Sequence, residues 1–411
     1  MAPEPHACHS KYLGPARAVS PPRIDEAFMD HMDWYVRNVD GRIGYQARHA
    51  YQAAQRWSQV NERGEYVWLG ISGALTPAGL GGYVADLLGR GLVDVIVSTG
   101  ANVFHDLHFA CGLPVREGRA EVDDDDLRAD GTTRIYNQNV SGDDTLKMQD
   151  TLKQVIARRV LPRLQQPFSS AMLLYEFGNE LLNESSGLVV DPGVSFVIQA
   201  AQHGVPVYLD SSSNHSLGMD LSVLVDEGFD PDPRGSRDLR QASALVLHTQ
   251  PQLNVFFGEG GPRNFIQTLG PMLNEVYYLT DFQGAEGCIR FTIADARAGA
   301  LSGSTQAEAV TWLKYPDASV GREIEVWSEY TKTIPAVVGY VAKHASRQPR
   351  RLMDRIGDFE RDFSERVILA RREARMKGHA ELLGKLDDVQ RLEIEAREQV
   401  LYPMRHPPEE G

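Results

Sequence analysis

Three side chains in the last third of the chain have the types and spacing to act on a positively charged substrate. Glu308, Trp312 and Lys314 follow a run of small residues, Gly299-Ala-Leu-Ser-Gly-Ser304. A carboxylate can pair with an ammonium group, an indole ring can cover it, and a lysine amine that has lost its proton is a nucleophile. The small residues allow a ligand to approach the backbone closely. This segment is therefore a candidate site for covalent chemistry on an amine.

A strand and a short helix are expected to position these side chains. Residues 288–293 form an apolar run that predicts a buried strand, and Thr305 followed by Glu308 is a capping box that predicts the start of a helix. Glu308 and Trp312 are four residues apart and should share a helix face, whereas Lys314, near the helix end, is predicted to point elsewhere. A purely structural interpretation also fits the pattern: Glu308 is then a helix cap, Trp312 is a core residue and Lys314 is a solvated residue at the helix end.

The same pattern, an apolar run that ends in a loop of Gly, Ser, Thr or Asn, recurs along the chain. The other runs are 66–71, 92–97, 205–209 and either 253–257 or 242–247. Helical patterns separate them. The alternation predicts an α/β fold with a doubly wound, mostly parallel, Rossmann-like sheet, helices on both faces and added helices at both termini. In such sheets, ligands bind at the carboxyl ends of the strands, where these loops lie.

Composition disfavours several classes of protein. Hydrophobic residues make up 42% of the chain and charged residues 24%, as in ordinary globular proteins. No apolar run has the length of a membrane span, and the N-terminus lacks a signal pattern. Cys8, Cys111 and Cys288 are widely spaced, which favours the reducing cytoplasm and disfavours a metal site. The net charge of −14 disfavours nucleic acid and suits a polycationic substrate. We expect a cytoplasmic protein with no nucleic-acid, membrane or metal partner.

The segment Glu308-Ala-Val-Thr-Trp-Leu-Lys314, preceded by Leu-Ser-Gly, resembles the E-A-V-S-W-G-K segment of the deoxyhypusine synthases. The resemblance covers roughly residues 60–345 and is strongest to the bacterial deoxyhypusine-synthase-like branch, which includes homospermidine-forming enzymes. It implies an NAD-binding catalytic domain (61–345). Outside the resemblance, a Pro-rich start and a mixed helical pattern predict an N-terminal arm with helices (1–60), and a highly charged, helix-favouring stretch predicts a helical C-terminal extension (346–411). The resemblance also implies a homotetramer.

The resemblance assigns roles to particular residues. In this family the lysine forms the imine between enzyme and substrate, so Lys314 is predicted to be the nucleophile, with Glu308 and Trp312 beside it. Asn264 and Asn214 are predicted to bind the substrate. The predicted contacts of the cofactor NAD are Ser72, Thr76, Thr99, Gly100, Gly260, Gly299, Ser302 and Glu329.

Three cofactor or substrate positions depart from the family pattern. Asn214 stands where relatives have an aspartate, and Asp210 or Asp220 could replace it. The segment Gly258-Glu-Gly-Gly-Pro-Arg-Asn-Phe265 resembles the family's G-G-G-x-P-K-N-F. Its Glu259 would repel a pyrophosphate unless the side chain turns away. Glu329 replaces an aspartate that contacts NAD.

The resemblance implies NAD-dependent transfer of a 4-aminobutyl group from spermidine, or a related polyamine, to an acceptor amine through an imine on Lys314. Asn264 stands where the synthases of nucleated cells have a catalytic histidine, and asparagine cannot exchange a proton as a base. We therefore expect a small acceptor such as putrescine, which gives homospermidine. Two alternatives remain: a deoxyhypusine synthase acting on a protein lysine, and a catalytically silent homologue that binds a polyamine or nucleotide.

Overall fold

The computed structural model describes residues 10–14, 16–183, 190–279, 282, 284–315 and 323–376. Its helices are α1 (Glu26–Asn38), α2 (Tyr45–Glu62), α3 (Gly81–Gly89), α4 (Gly100–Ala110), α5 (Asp124–Ala129), α6 (Gly142–Val155), α7 (Ser170–Leu181), α8 (Phe196–Gln202), α9 (Ser216–Asp226), α10 (Gly235–His248), α11 (Gly261–Pro271), α12 (Gln306–Thr311), α13 (Tyr330–His344) and α14 (Ile356–Met376). Its strands are β1 (Tyr66–Ile71), β2 (Val95–Ser98), β3 (Arg116–Glu117), β4 (Thr132–Ile135), β5 (Gln138–Ser141), β6 (Val207–Leu209), β7 (Gln252–Phe257), β8 (Gly287–Thr292) and β9 (Glu323–Trp327).

A parallel sheet organises the described part of the chain. Six strands lie in the order β6-β2-β1-β7-β8-β9, and every neighbouring pair is parallel. Numbered within this sheet alone, the order is 3-2-1-4-5-6, which is that of dinucleotide-binding doubly wound folds. The order reverses between β1 and β7. The predicted α/β class and parallel sheet are confirmed, and a small antiparallel sheet, β3-β5-β4, is added to them.

Both faces of the sheet are covered at its centre, which explains why most of its strands are largely apolar runs, whereas the edge strand β9 alternates between charged and apolar residues. All residues of β7 and β8 are buried. Alternate residues of β1 enter two different clusters of buried side chains: Leu69 belongs to the cluster that includes Trp57 of α2, and Trp68 belongs to the cluster that includes Phe363 of α14. Helices from both ends of the chain therefore pack on the sheet, one on each face. The division at residues 60 and 345 stays a prediction.

Residues 242–247, which the sequence offered as an alternative strand, are helical and lie within α10, so β7 supplies the strand. The helical stretch that begins with α6 becomes irregular towards its end. Helix α6 continues as a π-helix, Ile156–Val160, and then as a 3-10 turn, Leu161–Arg163. Pro162 lies in that turn, where its missing N–H cannot continue an α-helix. Among the described helices, none has both the length and the apolar character needed to cross a membrane.

Asp94 is a buried charge at the entrance to β2, only 2% exposed. Its carboxylate accepts a hydrogen bond from the backbone N–H of Val67 (2.8 Å) and two from the guanidinium of Arg347 (2.9 and 2.6 Å). Arg347 follows α13, so this ion pair joins the first two strands of the sheet to the chain beyond its last strand. A bidentate pair of this kind has both geometric specificity and charge-assisted hydrogen bonds.

We predict that Asp94→Asn lowers the free energy of unfolding by about 3–5 kcal/mol, because it leaves Arg347 without its anion in a mostly buried place. The control is Asp358→Asn, which removes a partner of Arg361 in a pair that is more than half exposed on both sides. That change should cost no more than about 0.5 kcal/mol. Urea unfolding followed by circular dichroism compares the two, and equal losses would contradict the structural role of Asp94.

Candidate active site

A cavity of about 290 Å³ lies between the small-residue loop and α12. Glu308, Trp312 and Lys314 all line it, and Gly299 and Ser304 contribute to its wall. The three side chains singled out for their chemistry are thus brought together. The cavity offers a carboxylate, an indole and an amine to the same bound molecule.

Lys314 reaches this cavity because α12 ends earlier than predicted. The backbone N–H of Leu313 donates to the carbonyl of Val310 (3.0 Å), and the N–H of Lys314 donates to that of Ala309 (3.1 Å). Leu313 has φ +56°. These features form a Schellman motif, which turns the chain after the last helical residue. The prediction that Lys314 points away from Glu308 is therefore wrong, since both side chains line one cavity.

The surroundings of Lys314 favour its neutral form. Its Nζ donates to the Oδ1 of Asn264 (3.3 Å) in the first turn of α11. Burial, together with the positive charge of Arg263, lowers the pKa of Lys314 below its usual value of 10.5, while Glu308 acts in the opposite direction. Near neutral pH the amine is consequently deprotonated more often than an ordinary lysine, as a nucleophile requires.

Trp312 forms an open side of the cavity. Its side chain is 64% exposed, and it is the C-cap of α12 rather than a residue within the helix. Ile293 follows β8 and Trp327 ends β9, and both residues are also more than half exposed. In the described part of the chain, Trp312 therefore offers a ring face to a ligand but does not by itself exclude water.

Glu259, which interrupts the glycine-rich loop after β7, turns into the protein. It is 7% exposed and pairs with Arg263 (2.8 Å) and Arg290 (3.4 Å). Arg290 in turn pairs with Glu323 and Glu325 on the neighbouring strand. The carboxylate that would have repelled a pyrophosphate is thus withdrawn from the loop and neutralised.

The loops after β1 and β7 meet where the strand order reverses. Ser72 follows β1, and a Cβ atom at Gly258 would lie 2.5 Å from its Oγ. Gly260 has φ +83° and precedes α11 without a side-chain cap. Close approach of the two backbones and an uncapped helix N-terminus are the features that fit the phosphates of a dinucleotide. Ser72 and Gly260, both predicted cofactor contacts, lie at this crevice.

Asn102 is a residue that the sequence reasoning passed over. It is 1% exposed and ties the loops after β1 and β2 together. Its Oδ1 accepts from the N–H of Thr76 (3.0 Å), and its Nδ2 donates to the carbonyl of Gly73 (3.0 Å) and to Thr99 Oγ1 (2.9 Å). The hydroxyl of Thr76 donates to the carbonyl of Asn102 (2.9 Å). The side chains of Thr76 and Thr99 thus shape these loops, and their contact with a cofactor stays a prediction.

The loop after β6 contributes a histidine ring and a carboxylate to the same edge. A Cβ at Gly100 would lie 2.0 Å from the ring of His215, so that ring packs directly on the start of α4. A Cβ at Gly261 would lie 1.9 Å from an oxygen of Asp210, which places this carboxylate at the N-terminus of α11. Burial raises the pKa of Asp210 to about 6. Neither contact has a signal in the local sequence.

Of the two aspartates that could replace the one missing at Asn214, Asp210 is the better placed. Asp220 lies on α9 and accepts from Gln149 (3.2 Å), whereas Asp210 faces the start of α11. Asn214 itself is exposed, and none of the described contacts joins its side chain to the cavity at Lys314. Its role in substrate binding stays a prediction.

The remaining predicted cofactor contacts, Gly299, Ser302 and Glu329, lie in the loops after β8 and β9. Gly299 has φ +67°, and Ser302 Oγ would be 3.9 Å from a Cβ at Gly260, so the small-residue loop meets the glycine loop after β7. Glu329 caps α13 by accepting from the N–H of Thr331 (3.1 Å). The next residue, Tyr330, covers the loop after β1, where a Cβ at Gly73 would lie 2.7 Å from its hydroxyl.

Comparison with known proteins identifies the family of the chain. Residues 37–341 match the family described as deoxyhypusine synthase. The chain belongs to the deoxyhypusine synthase family. The match begins at residue 37, inside α1, so it includes α2, which the resemblance in the sequence did not reach.

Relatives of this family cover most of the chain. A deoxyhypusine synthase-like protein of Nostoc sp. is 31% identical over 356 residues, which span 84% of this chain and 89% of that protein. A deoxyhypusine synthase-like protein of Nostoc punctiforme is 30% identical over 84% of this chain and 88% of its own length. The protein named "Probable deoxyhypusine synthase 2" of Methanosarcina mazei is 30% identical over 73% of this chain and 84% of its own. Membership of this family makes the chain a transferase.

The turn that directs Lys314 into the cavity yields a prediction about Leu313. At its positive φ, glycine is unstrained and a β-branched residue is strongly disfavoured. Leu313→Gly should leave the thermal unfolding midpoint unchanged or slightly higher, whereas Leu313→Val should lower stability by more than about 1 kcal/mol. Calorimetry of both variants checks this order, and the reverse order would contradict the left-handed turn.

Proposed function

We propose that this protein transfers a 4-aminobutyl group from spermidine, or a related polyamine, to an acceptor amine, with the group held as an imine on Lys314. One observation carries the proposal: Lys314, whose pKa is lowered by burial and by Arg263, lines one cavity with Glu308 and Trp312. Membership of the deoxyhypusine synthase family supports the same reaction.

Each cavity residue has a separate task in the proposed reaction. Lys314 attacks the oxidised carbon of the donor, which forms the new C–N bond, and 1,3-diaminopropane leaves with the nitrogen of the broken bond. Asn264 holds Nζ in place through its amide oxygen. Glu308 pairs with an ammonium group of the polyamine. Trp312 offers a ring face to the cationic chain, worth roughly 0.5–2 kcal/mol. The acceptor amine then attacks the imine carbon and displaces Lys314.

The crevice between β1 and β7 fits NAD as the cofactor of this reaction. Ser72, Gly100 and Gly260 would let the backbone approach the dinucleotide, and Asp210 would accept a hydrogen bond from a ribose hydroxyl. Bound in this crevice, NAD would supply the acceptor for a hydride from the carbon beside the secondary amine of the donor and the source of the hydride returned at the end, so that no net oxidation would occur. The inward turn of Glu259 supports this assignment, because it leaves the phosphate region without that negative charge.

A small acceptor such as putrescine, with homospermidine as product, is the form of the reaction that we favour. Asn264 supports it, since an asparagine at this place cannot act as the base that a histidine supplies. The similarity to bacterial deoxyhypusine synthase-like proteins supports it as well. A second candidate is modification of a protein lysine, which the archaeal relative's name favours.

We further propose that the chain acts as a homotetramer in the cytoplasm. Trp312 in the cavity, Ile293 after β8 and Trp327 at the end of β9 are exposed apolar residues, and they support burial of this edge of the sheet against another subunit. Cys111 and Cys288 are free thiols, which suits a reducing compartment.

The central prediction is a covalent adduct on Lys314. After incubation with NAD and spermidine and reduction with borohydride, mass spectrometry should find a butylamine group on this lysine. Lys314→Arg and Lys314→Ala should abolish the adduct, because neither supplies the nucleophilic amine. Lys147→Arg, at an exposed lysine of α6, is the control and should leave the adduct unchanged.

Addition of putrescine should discharge the adduct and give homospermidine by liquid chromatography and mass spectrometry. Discharge only onto a partner protein, seen with radiolabelled spermidine, would instead support the protein-modifying reaction. If neither an adduct nor free 1,3-diaminopropane forms, aminobutyl transfer from spermidine is refuted.

A further inference from the structure

Two arginines bind one carbonyl on the wall of the cavity. Arg263, in the first turn of α11, donates through Nη2 to the backbone oxygen of Ser304 (2.7 Å). Arg290, on β8, donates through Nη1 to the same oxygen (2.7 Å). Ser304 lines the cavity. Both guanidiniums are almost completely buried. Their hydrogen bonds to Ser304 therefore hold the loop between β8 and α12 against the sheet.

Arg263 is connected to Lys314 by two routes. Its neighbour in the chain, Asn264, contacts the Nζ of Lys314 (3.3 Å), and its partner Ser304 lies in the loop that leads into α12. We propose that Arg263, held by Glu259, is a positioning residue for Lys314: it fixes the wall of the cavity and places a permanent positive charge near the amine. Only the catalytic consequence of this inference, an effect on adduct formation, rests on the proposed function.

The charges around Lys314 decide whether a change at Arg263 or Glu259 raises or lowers the pKa of the lysine. Arg263 faces the amine from α11 and Glu308 from α12. Besides burial, which is the larger cause, Arg263 lowers the pKa of Lys314, and Glu308 raises it. An arginine keeps its charge at every accessible pH. Glu259 partly compensates this charge and is shared with Arg290, whose other partners are Glu323 and Glu325.

Two departures from the family's glycine-rich segment belong together. Where the family's G-G-G-x-P-K-N-F has glycine and lysine, this chain has Glu259 and Arg263, and the two side chains are in contact at 2.8 Å. A lysine head group lacks the planar fork with which Arg263 reaches Glu259 and Ser304 at once. The carboxylate thus provides the buried counter-ion that the arginine needs at this place.

The test measures the reactivity of Lys314 itself, without NAD or polyamine. Brief acetylation with acetic anhydride at a series of pH values, with peptide mass spectrometry, gives the midpoint at which Lys314 becomes reactive. Arg263→Met should raise this midpoint, because a nearby positive charge is removed. Glu259→Gln should lower the midpoint, because the compensating negative charge is removed and Arg263 remains.

Arg263→Lys separates geometry from charge. It should keep the midpoint of labelling close to that of the unchanged protein and slow the formation of the aminobutyl adduct about tenfold, since the bond to Ser304 is lost. Arg297→Met is the matched control, because Arg297 lies on the same loop, is highly exposed and pairs with Asp295. It should change neither quantity.

Opposite shifts in Arg263→Met and Glu259→Gln would establish the inference, since loss of structure alone would move both midpoints the same way. Equal or absent shifts would overturn it. If Arg263→Met does not fold, the direction of the shift in Glu259→Gln decides. Absence of the adduct in the unchanged protein, with the opposite shifts present, would refute aminobutyl transfer and leave the positioning role intact.

Discussion

The parallel direction of the six central strands is the constraint on which the site depends. Because all of them run the same way, all their carboxyl ends lie at one edge, and the loops that follow them meet there. Reversal of the strand order between β1 and β7 opens a crevice at that edge. The contacts of Ser72 with Gly258, and of Gly260 with the small-residue loop, follow from this geometry. The crevice proposed for the cofactor and the lysine cavity therefore share one edge of the sheet.

The buried charged residues near this edge influence the protonation of Lys314. A half-buried lysine that attacks as a neutral amine, as proposed for Lys314, needs an environment that disfavours its cation. At Lys314, burial and Arg263 supply that environment. The guanidiniums of Arg263 and Arg290 are themselves buried, and Glu259 makes their burial tolerable by pairing with both. Glu308, the carboxylate among the residues that line the cavity, is then placed to pair with an ammonium group of the proposed substrate.

The sequence predicted much of the fold and part of the site. Apolar runs that end in small polar loops predicted the parallel sheet correctly, since strands buried on both faces must be apolar. The pattern from Glu308 to Lys314 predicted a common site, and the structure places these residues around one cavity. The direction of Lys314 was predicted wrongly, because a helix usually ends in this way at glycine, and here Leu313 adopts the left-handed conformation instead.

Other features could not be predicted because they depend on residues that are distant in the sequence. The choice between Asp210 and Asp220 required the position of α11 relative to the loop after β6. The contacts of Arg263 and Arg290 with Ser304 required the register of β7 beside β8. Glu259 was seen in the sequence as a departure from the glycine pattern, but only its partners show why a carboxylate is tolerated there.

The proposed function requires that the crevice at the strand reversal and the cavity at Lys314 form a single site. A crystal structure of the protein with NAD and spermidine tests it most directly. We expect a dinucleotide along the carboxyl ends of β1 and β7, with the polyamine in the cavity bounded by Glu308, Trp312 and Lys314. A dinucleotide bound elsewhere, or a polyamine away from Lys314, would contradict it.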